Sequence, residues 1–294
     1  MSSASPRDGH RPEGQRLATC ALHAGPEPMT APGPARLPRA GLGPWLGTAN
    51  RWLARRVARR PLAWGAGPGV VSLSFDDAPA SACREGRDIL AHEGALGTWY
   101  IAGGLTDQWE QGHRCHAVRD LQRLAAQGHE LGCHTFSHQP VTGLSLAALR
   151  EEWARNARFF TDTVGVAAPR HFSFPLGDYG LLSKPLAAAG FESVRLTRPG
   201  IHRGHADLTG LHAQALYDGG LSAAELQAQI EATAASGGWL ILYTHAVSDQ
   251  PGPWGCTPAQ LAQALRLARQ AGCLLLSVGQ AIAHLRTRGA APSA

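Results

Sequence analysis

The sequence predicts an α/β protein, a (β/α) barrel of about seven strands preceded by a disordered N-terminal tail. Three observations carry that reading. From Val70 onward, short apolar runs alternate with helical patterns seven times, as they do in a parallel sheet flanked by helices. Hydrophobic residues make up 44% of the 294, too many for a chain disordered throughout. After the first strand stand two acids rather than a glycine-rich phosphate loop, which argues against the doubly wound nucleotide-binding folds.

Residues 1–43 are rich in Pro, Gly, Ala, Ser and Arg and have no hydrophobic period, so they read as the disordered tail. Residues 44–64 read as a basic amphipathic helix and linker. Trp45, Ala49, Trp52, Leu53 and Val57 recur at helical spacing, and Arg51, Arg55, Arg56, Arg59 and Arg60 largely take the other positions. Such a helix over Trp45–Arg60 can lie on an anionic membrane surface, or it can cap the bottom of the domain with its arginines in solvent. These five arginines equal the whole net charge of +5, so no diffuse nucleic-acid-binding face is expected.

Residues 65–290 form the expected barrel domain. The strands expected are Val70–Phe75, Gly97–Ala102, His129–Cys133, His171–Phe174, Phe191–Leu196, Trp239–Thr244 and Cys273–Val278. The helices expected are Arg84–His92, Val118–Gln127, Leu146–Thr161, Leu181–Ala189, Ala223–Ala235, Pro258–Gln270 and Gly279–Leu285. The six cysteines are scattered, with no CxxC pair, and read as free thiols in a reducing compartment. The first residues lack the apolar stretch of a signal peptide, and no apolar run reaches the ~20 residues that span a bilayer. A cytoplasmic address is expected.

Polar residues collect at the C-terminal ends of the expected strands, the face on which α/β barrels build active sites. The first strand ends in Asp76-Asp77. Adjacent carboxylates on a strand point to opposite sides, so one can bind a metal while the other takes a proton from water, or the pair can cap the next helix. His134 and His138 are spaced i and i+4. On a helical turn they would face the same way and chelate one divalent ion, with Asp77 supplying an oxygen; otherwise they are two solvent histidines. The strand Trp239–Thr244 runs into His245, whose imidazole suits proton transfer near neutral pH. A further strand ends in a rigid turn, Pro175-Leu176-Gly177-Asp178-Tyr179, which either walls a groove or simply joins strand to helix. Trp254, in the loop after His245, either stacks on a sugar ring or packs that loop.

In their order, spacing and placement at strand ends, these motifs resemble the polysaccharide deacetylase family, the NodB-homology carbohydrate esterases. That family runs through an Asp-Asp strand end, HxxxH, an Arg-x-Pro-Tyr wall and a Leu-x-His strand. The match spans roughly Val70 to Leu285, with HTFSH at His134–His138 its most specific piece. The resemblance implies a distorted, NodB-like (β/α) barrel that hydrolyses N-acetyl, less often O-acetyl, groups on glycans. By the same resemblance Asp76 is the catalytic base and His245 the general acid. Asp77, His134 and His138 hold a divalent metal ion, zinc first among the candidates, and Pro175, Leu176, Gly177 and Tyr179 form the substrate wall.

The sequence departs from the family's pattern at the wall. Ser173 stands where the family has the arginine that holds the base, and Leu176 stands where it has the tyrosine, leaving only a backbone N–H. Arg170 and Arg195 are the two candidates to replace the missing arginine. Ala78 replaces a glycine and Tyr243 a leucine, both mild changes. With a cytoplasmic address, the expected substrate is an acetylated glycan precursor or a lipid-linked sugar at the inner membrane face, with residues 45–60 as the membrane contact. The competing readings are an amidohydrolase of the same fold acting on a small cyclic amide, and a non-catalytic glycan-binding barrel.

Overall fold

A computed structural model describes residues 50–290; the tail expected over residues 1–43 lies outside them. Residues 50–54 form a helical turn that ends at Ala54, so the helix expected to continue to Arg60 stops six residues early. Two features end it. Ala58 takes a left-handed φ of 51°, and Arg60 precedes Pro61, which disfavours the helical region for it. Nor is Arg60 a solvent arginine. Its guanidinium donates to the carbonyls of Ala188 (2.6 Å), Phe191 (2.9 Å) and Glu192 (2.8 Å), satisfying carbonyls at the end of a helix as a cation there can.

The chain then forms β1 (Pro61–Ala63), β2 (Val70–Asp76), α1 (Arg87–His92), β3 (Thr98–Ile101) and a small hairpin of β4 (Trp109–Glu110) and β5 (His113–Arg114). Next come α2 (Val118–Ala126), β6 (Glu130–Cys133), α3 (Leu146–Arg158), β7 (His171–Ser173), α4 (Ser183–Gly190) and β8 (Ser193–Arg195). The last part holds β9 (His205–Asp207), β10 (Gln214–Ala215), α5 (Ala223–Ala235), β11 (Trp239–Thr244), α6 (Pro258–Gln270), β12 (Leu274–Leu275) and α7 (Val278–Ala290). All seven expected strands are present. α5 and α6 have the expected bounds, each set by a capping box, Ser222 with Glu225 and Thr257 with Gln260.

The main sheet is parallel and ordered β10-β11-β2-β3-β6-β7-β8, with β12 also paired to β2. β11 runs along the whole of one edge of β2, while β12 pairs with its first residues and β3 with its last. The strands therefore splay at the foot, as a distorted barrel requires. The circle closes through residues 208–215. Leu211 exchanges backbone hydrogen bonds with Val194 and Leu196 of the β8 segment (2.9 and 2.8 Å), and β10 pairs with β11.

β2 is buried at every position, as a parallel strand covered on both faces must be. Outward, Phe75 stacks on Trp99 at 4.5 Å; burying such a side chain stabilises by about 1.5–3 kcal/mol. Ser72 accepts the Trp239 indole N–H at 2.9 Å and Ser74 donates to the Leu242 carbonyl at 3.2 Å, so the strand's two buried hydroxyls are satisfied. The rigid centre of the fold thus delivers Asp76 and Asp77 to the C-terminal mouth of the barrel.

Candidate active site

Asp76 is the last residue of β2 and points into the barrel mouth. Its partner is Arg195, the last residue of β8, whose Nη2 contacts both carboxylate oxygens. Of the two arginines proposed from the sequence, Arg195 is the one that contacts Asp76; Arg170 is exposed and pairs with Glu192 at the other end of the barrel. Ser173 and Arg195 are register partners across β7 and β8. The guanidinium that the family places on one strand is supplied here from the adjacent one. Tyr100 and Tyr243 flank Arg195, with ring centroids 5.1 and 4.7 Å from Cζ, favourable cation–π geometry. Burial opposes the Asp76 charge, but Arg195, with His134 and His245 nearby, holds its pKa below the usual carboxylate range. Both effects of the guanidinium, charge and hydrogen bond, favour the carboxylate form.

Asp77 does not point away from Asp76 as strand alternation would have it. Its φ of 59° and the 49° of Ala78 are left-handed, and this break turns both carboxylates into one cavity. His116 holds the turn from behind, its Nδ1 3.2 Å from the Asp77 carbonyl and 3.3 Å from that of Ala78. Asp77 Oδ1 lies 2.9 Å from His138 Nε2 and 3.6 Å from His134 Nε2.

His134 and His138 do not share a helical turn. They stand in an irregular loop after β6, and left-handed conformations at Thr135 (φ 61°) and His138 (φ 53°) bring the rings together. Glu152 of α3 anchors that loop, its carboxylate accepting the backbone N–H groups of Phe136 (3.1 Å) and Ser137 (2.7 Å) and the Ser137 hydroxyl (2.7 Å). His134 Nδ1 is 2.7 Å from the Ser173 carbonyl, so it carries the hydrogen and Nε2 faces Asp77 with a lone pair. Burial pushes His134 down to about 4, only partly opposed by Asp76 and Asp77, which keeps it in the neutral form a metal ligand needs. Burial also works against protonating His138, but the Asp77 contact outweighs it and raises the pKa.

Asp77, His134 and His138 offer three donor atoms within 4.8 Å of one another. Asp77 Oδ1 is buried and, apart from the two imidazole nitrogens it faces, has no hydrogen-bond partner among the described residues. A buried carboxylate oxygen converging with two imidazole nitrogens is a mixed oxygen and nitrogen donor set, and it fits a divalent ion.

The cavity at this mouth has a volume of 290 Å³. His245 lines it with Nε2 3.8 Å from Asp77 Oδ2, and its Nδ1 is 3.0 Å from the Trp254 carbonyl. Leu176 and Gly177 line the opposite wall. Leu176 has a φ of 57°, unusual for a bulky residue, and is 59% exposed at the rim. Trp254, 48% exposed, lines the cavity too. The expected wall residues Pro175 and Tyr179 do not; Pro175 is buried in the turn, and Tyr179 packs against Phe174 in the core at 5.7 Å. The Tyr179 hydroxyl rides on an otherwise apolar ring, and the ring decides its place.

Tyr217 and Tyr243 also line the cavity, in an edge-on stack 5.5 Å apart, and Tyr217 meets Trp254 at 5.7 Å. Sequence reasoning treated Tyr243 as a mild change and passed over Tyr217. Tyr217 sits in an irregular stretch with no motif around it, although an aromatic just past a barrel strand was a signal open to use.

Among solved structures of similar fold are two with related names. A family 4 carbohydrate esterase from Bacillus anthracis superposes with a TM-score of 0.54 at 18% identity, covering 85% of this chain and 95% of that one. The chitin deacetylase of Colletotrichum lindemuthianum gives 0.52 at 18%, over 74% and 88%. At such identities they show the fold alone, a NodB-like barrel. Residues 65–194 match the polysaccharide deacetylase family model. In sequence the Colletotrichum chitin deacetylase is 30% identical over 108 residues, 37% of this chain and 42% of that protein. The chitooligosaccharide deacetylase of a Bradyrhizobium strain is 26% identical over 149 residues, 47% of this chain and 63% of that protein. Over these residues the chain is similar to the polysaccharide deacetylase family, and the aligned segments span less than two thirds of these relatives. Asp76, Asp77, His134 and His138 lie inside the matched residues; Arg195 and His245 follow them.

Proposed function

We propose that the protein is a metal-dependent hydrolase that removes N-acetyl groups, with O-acetyl groups as a second substrate type, from a glycan or a glycan precursor. One observation carries the reading: an arginine-held carboxylate, Asp76, stands in the same cavity as the Asp77–His134–His138 donor set and His245.

A divalent ion, zinc by preference for mixed imidazole and carboxylate donors, would sit on Asp77, His134 and His138 and supply Lewis acidity toward the acetyl carbonyl and water. Asp76 accepts the proton of the attacking water. Arg195 keeps that carboxylate ionised and aimed while the barrel closes around it. The Leu176 N–H donates to the oxyanion that forms. His245, oriented by the Trp254 carbonyl, gives a proton to the departing sugar amine, and acetate leaves.

The exposed rim residues Leu176 and Trp254 favour an extended glycan over a small cyclic amide enclosed in a pocket. A lipid-linked sugar at the inner membrane face draws support from an apolar and basic patch beside the mouth. Trp52 (45%), Leu53 (44%) and Leu182 (68%) are exposed there, tied together by the Leu181 N–H, which donates to Asn50 Oδ1 at 2.8 Å. Arg56 lies over the Trp52 ring. Aromatic and leucine side chains among arginines suit an anionic bilayer surface.

The test is acetate release from acetylated chito-oligosaccharides, with and without a chelator. Wild type should release acetate and lose that activity to the chelator. His245→Gln should retain metal and fall by about 10²-fold or more. Release that is indifferent to chelator, or an unimpaired His245→Gln, overturns the assignment.

A further inference from the structure

A second hollow, of 160 Å³, lies on the other face of the β8 end segment. Arg195 reaches Asp76, and Thr197 lines the catalytic cavity. Leu196 and Arg198, alternating with them, line this hollow together with Arg55, Arg59, Lys184, Asp207 and His212. Thr197 thus faces the catalytic cavity while its two chain neighbours face this hollow.

Four cationic side chains meet a single carboxylate here, and that carboxylate is already engaged. Asp207 Oδ1 accepts the Arg60 N–H (2.8 Å), the Thr209 N–H (3.1 Å) and the Thr209 hydroxyl (2.8 Å), and Oδ2 lies 3.5 Å from Lys184 Nζ. Lys184 is fully buried, its ammonium also donating to the Val57 carbonyl (2.8 Å) and to Thr209 Oγ1 (3.1 Å). Arg55 and Arg198, by contrast, form no ion pair and no side-chain hydrogen bond among the described residues. Fixed positive charge walled by protein draws an anion, and a guanidinium fork matches phosphate oxygens with two parallel hydrogen bonds. The volume lies below the roughly 300 Å³ at which small-molecule pockets begin, so it suits a phosphate-sized group rather than a sugar ring.

We infer that this hollow is a phosphate subsite and that the substrate is an acetylated sugar carrying a phosphate or diphosphate, the acetyl group in the catalytic cavity and the phosphate across the Thr197 rim. The inference rests on the deacetylase reading for the substrate but not for the anion site.

Two measurements on the full chain separate them. In calorimetric titration with inorganic pyrophosphate, wild type and Asp77→Asn should bind alike, and Arg198→Ala about tenfold more weakly, the loss of about one charge-assisted contact. No binding by wild type, or binding lost in Asp77→Asn but kept in Arg198→Ala, overturns the subsite. In acetate release, Arg198→Ala should raise KM about tenfold for an N-acetylhexosamine 1-phosphate and leave the uncharged methyl glycoside unchanged. Pyrophosphate binding at the hollow with no acetate release from either sugar overturns the deacetylase reading and keeps the anion site. If Arg198→Ala instead weakens binding only to phosphatidylglycerol vesicles, the phosphate belongs to the bilayer and the substrate assignment falls.

Discussion

The two ends of the barrel carry similar residues in opposite condition. At the foot, a cleft of 500 Å³ is lined by His129, Glu130, His171, Arg170, Glu192 and Arg286. Its charges are matched among themselves. Glu192 takes both Arg170 (2.5 Å) and Arg286 (2.6 Å). Glu130 accepts from Thr98 Oγ1 (2.7 Å) and the Gly279 N–H (3.0 Å), and His171 Nδ1 meets Ser193 Oγ at 2.8 Å. At the mouth the cavity is smaller, yet Tyr100 Oη and two guanidinium nitrogens of Arg195 are buried without partners among the described residues. Six non-glycine residues there, Asp77, Ala78, Gln111, Thr135, His138 and Leu176, adopt positive φ. Such conformations cost on the order of 1–3 kcal/mol each and persist where the surroundings enforce them. Volume would have chosen the foot; unsatisfied groups and strained backbone choose the mouth.

Substitutions at the mouth should therefore cost activity, and substitutions at the foot should leave activity unchanged. The largest effect is expected for Asp76→Asn, a loss of about 10²- to 10⁴-fold in kcat with metal still bound. Because it leaves the buried Arg195 charge unbalanced, it should also destabilise the fold by about 3–5 kcal/mol, read by denaturant unfolding. Full activity in this variant would remove Asp76 from the chemistry.

Next in size is a pH effect at the foot. His202 packs against Trp239 at the start of β11, and burial, reinforced by His212, pushes its pKa from 6.5 down to about 3. The folded protein keeps this ring neutral while the unfolded chain protonates it. Its contribution is thus complete above pH 6.5 and shrinks as pH falls toward 3. The loss should reach a few kcal/mol, roughly 1.4 per pH unit, and His202→Gln should flatten the acid limb of a melting-temperature profile. A parallel decline in both proteins would contradict a neutral buried His202.

Smaller still is Trp254→Ala. It removes a rim aromatic but leaves the backbone carbonyl that orients His245, so KM for an oligosaccharide should rise about threefold to tenfold with kcat little changed. A kcat collapse would mean that the side chain positions His245. Glu192→Gln at the foot should leave activity unchanged and cost about 0–1 kcal/mol of stability, since its partners Arg170 and Arg286 hold their guanidinium groups in solvent. A change in activity there would erase the distinction between the ends.

Seven of the eight strands of the main sheet were legible as apolar runs, the two-residue β10 was not, and α5 and α6 were legible because capping boxes mark their starts. Asp76, Asp77, His134, His138 and His245 were legible as polar residues at strand ends. The route by which they converge was not. Periodicity predicts alternation at Asp76-Asp77 and a helical turn at His134–His138, whereas left-handed residues decide both. Arg195 could be named only beside Arg170, because the β7–β8 register that places it opposite Ser173 is a non-local fact. Tyr179 was misplaced for a related reason: spacing puts it near the wall, and packing against Phe174 takes it into the core.

The central claim is that Asp77, His134 and His138 hold one divalent ion beside Asp76. The most direct measurement is the metal content of the purified full chain and of Asp77→Ala after equilibration with zinc. The account predicts about one ion per wild-type chain and loss of that ion in the variant. No bound ion in wild type, or equal occupancy in both, would contradict it.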